Sequence, residues 1–97
     1  MRYLTIDGML SGTGVRNPFI GGYLDPKHAG FSPELVRRIE RWVIDYETAH
    51  YHQFNDEAEN QRIDQEGIEI ARQAQLQLPE AKVEYFSNAQ MRKIDLL

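Results

Sequence analysis

Trp42, Tyr46, Tyr51 and Phe54 stand in one stretch, "WVIDYETAHYHQFNDEAENQ", with His50, His52 and the carboxylates Asp45, Glu47, Asp56, Glu57 and Glu59. No Lys or Arg interrupts it between Trp42 and Gln61. Imidazoles beside carboxylates can hold a metal or move a proton. Rings among carboxylates can instead anchor and steer a basic protein. Spacing separates these chemistries.

His50 and His52 are two apart, which on a helix puts them on different faces. In an extended segment both would point one way, and Asp56 could join them as a ligand. The zinc pattern of two histidines four apart around an acid is absent. Two surface histidines near a helix end explain the same letters, so no metal and no cofactor are expected. The chain has no cysteine, which excludes disulfides, thiolate nucleophiles and thiolate zinc sites.

No catalytic residue is assigned. Ser11, Ser32 and Ser87 lack a nucleophile-elbow context. The carboxylates are plentiful, but abundance on a polar stretch does not mark a shifted acid–base group. Gly12-Thr13-Gly14 lacks the Gly-Lys-Ser/Thr ending of a phosphate loop and reads as a turn. Arg37, Arg38 and Arg41 are offset by Glu34, Glu40 and Asp45, so no continuous basic stripe predicts nucleic-acid binding.

The charge distribution is more telling. From Asp45 to Glu69, eight acids and one base give −7, against −4 for the whole chain, so the remainder carries +3. Such a segment repels nucleic acid and attracts basic partners. Two readings stand: a solvated helix face, or a contact surface made of Asp45, Glu47, Asp56, Glu57 and Glu59 with Tyr51 and Phe54 as anchors. The two rings can equally cap a helical core.

These residues must be positioned by a small frame. Ninety-seven residues make a single domain, 1–97, with 87–97 as a C-terminal tail. "RYLTI" reads as a strand, and "FIGGYL" as a short second one broken at Gly21-Gly22. Asp25-Pro26 starts a turn. Ser32-Pro33-Glu34 combines an N-cap hydroxyl, a proline at N1 and an early acid, a strong helix start. Leu35, Ile39, Trp42, Val43, Tyr46 and Ala49 recur at three and four, which predicts a helix from Pro33 to about His50. A second helix starts after Asn55, carries the stripe Ile63, Gly67, Ile70, Ala71, Ala74 and Leu78, and ends at Pro79. Gly67 inside that stripe implies close approach to the first helix or the sheet. "AKVEYF" is the clearest strand. In the tail, Met91, Ile94, Leu96 and Leu97 are apolar and imply anchoring.

The order strand, loop, helix, helix, strand predicts an α+β fold (an α/β mixture) with two helices on one face of a two- to three-stranded sheet. Unpaired edges of so small a sheet invite a partner chain, a homodimer included. No run approaches a membrane span and no secretory leader is legible, so a cytoplasmic location without membrane association is expected.

"YLDP", "FSPELVRRIERWVIDYE", "IDQEGIEIARQAQLQLP" and "KVEYF" together resemble a group of small bacterial proteins, the immunity proteins of polymorphic-toxin and contact-dependent growth-inhibition systems. The resemblance spans roughly Gly22 to Phe86. It implies a helix-covered α+β domain without catalysis that binds and neutralises a cognate protein toxin. No site residue carries over from it. The chain departs from the group at "AHYHQFNDEAEN" and beyond Phe86. The competing reading is a small homo-oligomeric or regulatory protein, with an enzyme third.

Overall fold

The computed structural model describes residues 2–96. Strand β1 (Arg2–Asp7) is followed by a short strand β2 (Val15–Arg16), a 3-10 turn (Pro26–His28), helix α1 (Pro33–Tyr51), helix α2 (Glu57–Gln77), strand β3 (Ala81–Ser87) and strand β4 (Arg92–Ile94). The sheet runs β2-β1-β3-β4. β1 and β3 are parallel, with Leu4 opposite Val83 and Ile6 opposite Tyr85. The outer pairs are antiparallel. The helical pair is thus the crossover that two parallel neighbours require.

The expected α+β architecture is present, with four strands where two or three were expected. Both additional strands are very short and pair at the rims. The first is Val15–Arg16 and not "FIGGYL". There, Asn17 Oδ1 accepts from the backbone N–H groups of Phe19 and Ile20, folding the stretch into a turn. Tyr23 then bridges back to Arg16. The second lies in the supposed tail. Ile94 and Leu96 pack on the core as the expected anchoring requires, whereas Met91, grouped with them, sits at the β3–β4 turn and is 71% exposed. Leu97 lies outside the described residues.

Ser32 caps α1 as its sequence implies, its Oγ accepting from Leu35 N at 3.2 Å. Gln77, at the end of α2, donates to the same Oγ and accepts from Ser32 N at 2.8 Å, so one end of the helical pair is latched. The core lies between the helices and one sheet face: Leu4, Ile6, Val83 and Tyr85 below, Ile39, Trp42, Tyr46, Ile70 and Ala74 above. Trp42 is 1% exposed, and its indole N–H donates to the Ile63 carbonyl at 2.8 Å, satisfying a buried polar group inside the helix interface.

The two buried tyrosines each need a glycine. A Cβ on Gly67 would fall within the ring of Tyr85, and one on Gly8 within the ring of Tyr46. The close approach expected at Gly67 is therefore made to the sheet. Among the described residues no helix is long and apolar enough to cross a membrane.

Candidate functional site

The turn between α1 and α2 decides where the opening aromatics go. Phe54 N donates to Ala49 O and Gln53 N donates to His50 O, a six-to-one and five-to-two pair that closes a helix end. Gln53 and Phe54 both take left-handed backbone angles, φ 54° and 55°. This turn folds Phe54 back over the helix. Its ring meets His50 at 4.9 Å and Tyr46 at 6.0 Å. Tyr51, the last residue of α1, stays outside the turn and is 71% exposed. The two rings therefore part company: Phe54 caps the core, and Tyr51 faces solvent.

Three connections meet at this end of the molecule. The carbonyl of Gly8 can only accept, so His50 Nε2 carries the proton that joins them at 2.9 Å. That bond ties the β1–β2 loop to the helix end. The Tyr46 hydroxyl accepts from Asn88 N and Ala89 N at 2.9 and 3.1 Å, tying in the β3–β4 turn. Burial pushes the Tyr46 hydroxyl above the ordinary tyrosine range. Met9, Leu10 and Met91, all exposed, belong to the connections so gathered.

The eight acids of the segment sort into two sets. Asp64 is only 5% exposed and accepts from the Tyr85 hydroxyl, from Ser87 Oγ at 2.9 Å and from Gln90 Nε2 at 3.0 Å. Its place is structural, and its charge does not belong to the surface. Burial, with the bond to Asp64 behind it, raises the Tyr85 hydroxyl far above its ordinary range. Glu66 is gripped by Arg38 across the helix pair at 2.6 and 2.9 Å. Glu69 pairs with Arg72 at 2.8 Å.

The remaining five are the carboxylates singled out from the sequence, and they do not form one cluster. Asp45 and Glu59 line a groove of about 380 Å³ between the helices, with Trp42, Arg62 and Glu66. Glu59 also meets His52 Nδ1 at 3.2 Å. Asp56 caps α2 by accepting from Glu59 N at 3.2 Å, and Glu57 stands in the first turn. Glu47 points away from the groove, on an outer stripe where Ile44, Glu47 and Tyr51 follow at three and four.

Ile44 is exposed and was missed in the sequence reading, although its position off the apolar stripe marked it. Met9, Leu10 and Met91 carry no such periodic signal, because they sit in loops. Among the described residues no group of three or more His, Cys, Asp or Glu could hold a metal ion. The arrangement leaves exposed carboxylates and isolated exposed apolar side chains on the helical side. No family model and no curated protein sequence matches this chain.

Proposed function

We propose that the chain is a binding protein of the immunity type, which neutralises a basic toxin domain by occluding its active site or substrate surface. One observation carries this reading: Glu47 and Glu57 are exposed, with no ion-pair or hydrogen-bond partner for either carboxylate among the described residues, and Glu47 stands one helical turn from the 71% exposed ring of Tyr51. A nuclease-type toxin must itself be basic to hold a polyanionic substrate, so an acidic end on a small protein competes for that cleft without chemistry. Ile44 and Tyr51 supply apolar anchors, and Asp45, Glu47, Asp56, Glu57 and Glu59 supply steering.

The test is association kinetics with the toxin domain encoded beside the gene, at two ionic strengths. The on-rate falls as salt rises and falls again in the Glu47→Lys/Glu57→Lys variant, whose off-rate stays near that of the parent. Asp56 is left intact because it caps α2. Tyr51→Ala raises the off-rate by an amount on the order of 2 kcal/mol if its ring is an anchor. If neither salt nor the charge reversal alters the on-rate, the acidic side is only a solvated face and the reading fails.

A further inference from the structure

The helices cover one face of the sheet. The alternation of β3 sends Lys82, Glu84 and Phe86 to the other. Tyr3 of β1 joins them, in register with Lys82. No helix covers this face, although Thr5 and Asp7 on it are each only 2% exposed, with the Arg16 and Tyr23 side chains bonded to Asp7, so its free part lies around Tyr3. At its end the turn after β2 presents Phe19 and Ile20, which are 76% and 81% exposed, the most exposed large apolar side chains among the described residues. The turn is rigid: Asn17 Oδ1 binds both their N–H groups, and Asn17 O accepts from Gly21 N at 2.8 Å. Phe19 is set edge-on to Tyr3, ring centres 4.8 Å apart. Two apolar side chains held out by a pre-ordered turn lose little conformational freedom on association.

We infer that this open sheet face is a self-association surface, on which a second copy of the chain docks face to face around Tyr3, Phe19 and Ile20. Charge selects the occupant. The helical side is acidic and repels both a second copy's helical side and any nucleic acid. The open face carries both signs in near balance. Glu84 sits between Lys93, at 2.9 Å, and Lys82, at 3.9 Å. Arg16 is neutralised by Asp7 at 2.6 Å. A two-fold axis can set the lysines of one copy against Glu84 of the other, whereas a strongly basic or acidic partner finds no matching field.

The sheet edges fit less well. The outer side of β2 is occupied by the bridge from Tyr23, and β4 is three residues long with Arg92 and Lys93 on it. The area fits a modest dimer. An aromatic side chain offers roughly 150–250 Å², so Phe19, Ile20 and the exposed parts of Tyr3 and Phe86 fall short of the roughly 800 Å² per partner of a standard interface. The charged rim must supply the rest, so the test spans a wide range of concentration. This inference stands apart from the proposed function, because the acidic end lies on the helical side and stays free in such a dimer.

Sedimentation equilibrium of the full chain, from low to high micromolar concentration, tests it. The weight-average mass rises from monomer towards dimer with concentration. Ile20→Glu, at a side chain with almost no intramolecular packing, and Phe19→Ser each weaken dimerisation by about tenfold or more, with unchanged circular dichroism. Glu47→Lys/Glu57→Lys leaves it unaltered. A parent protein that stays monomeric throughout overturns the inference. So does an Ile20→Glu variant that dimerises like the parent, or a Lys93→Pro change in β4 that alone abolishes the dimer, which would place pairing at the edge.

Discussion

On the inner side of α2, Asp64 is only 5% exposed and accepts three side-chain hydrogen bonds. Seven residues earlier in the same helix, Glu57 stands exposed in the first turn. Both are acids of one segment, and a sum over the sequence treats them alike. The structure divides them by what surrounds the charge. A buried carboxylate persists only where donors replace its water, so Asp64 draws Tyr85, Ser87 and Gln90 around itself and fixes the β3–β4 turn against α2. Glu57 needs no such company and keeps its field in solvent. The inner acid helps specify the fold, whereas the outer one leaves its charge in solvent.

The sharpest way to test that division is to cut the inner side. Trp42→Ala removes a ring that is 1% exposed and leaves the Ile63 carbonyl without its indole donor. The expected loss is about 3–5 kcal/mol by urea denaturation, as for large aromatic truncations in cores. Asp64→Ala leaves buried donors on Tyr85 and Ser87 unsatisfied, at about 1–3 kcal/mol each. Glu57→Ala stays within about 0.5 kcal/mol of the parent. Equal losses for the two acids would break the comparison, because they would mean that Glu57 also holds the fold.

Much of this division is legible in the letters and part of it is not. Ser32-Pro33-Glu34 marks the start of α1 to the residue, since a cap is a local event. The two apolar stripes find the buried faces, and "RYLTI" and "AKVEYF" find the two central strands, because their patterns extend over several residues. β2 and β4 escape, being two and three residues long, too short for a period to register. Asp64 looks like a surface acid because its partners Tyr85, Ser87 and Gln90 are remote in sequence. Phe54 looks as exposed as Tyr51. The turn that separates them has Gln53 at the left-handed position where glycine is the usual signal.

The buried tyrosines sharpen the comparison through pH. Tyr46 and Tyr85 both have hydroxyls raised above the ordinary 10.0, chiefly by burial. Their neutral forms are favoured in the folded state. The stability they lend is complete below pH 10 and declines above it, where the unfolded chain ionises and the folded chain does not. Each contributes a slope of about 1.4 kcal/mol per pH unit over that range. Stability measured at intervals between neutral and strongly alkaline pH should stay flat and then fall steeply. A curve that stays flat well past pH 10 would mean that the hydroxyls of Tyr46 and Tyr85 are not held away from water.

The smallest expected effect lies at the turn that joins the inner and outer sides. Gln53 holds φ 54°, where an L side chain crowds its own carbonyl at a cost of roughly 1–2 kcal/mol. Glycine avoids that crowding but gives the unfolded chain more freedom, worth roughly 0.5–1 kcal/mol the other way. Gln53 is exposed and no side-chain bond of its own is lost by the change. Gln53→Gly should therefore stabilise by about 0.5 kcal/mol, the difference of those two terms. The gain reads as a small rise in denaturation midpoint at constant slope. A destabilised variant would show that the Gln53 side chain supports the turn directly. The turn that folds Phe54 inward and leaves Tyr51 outward would then be held by more than its backbone hydrogen bonds.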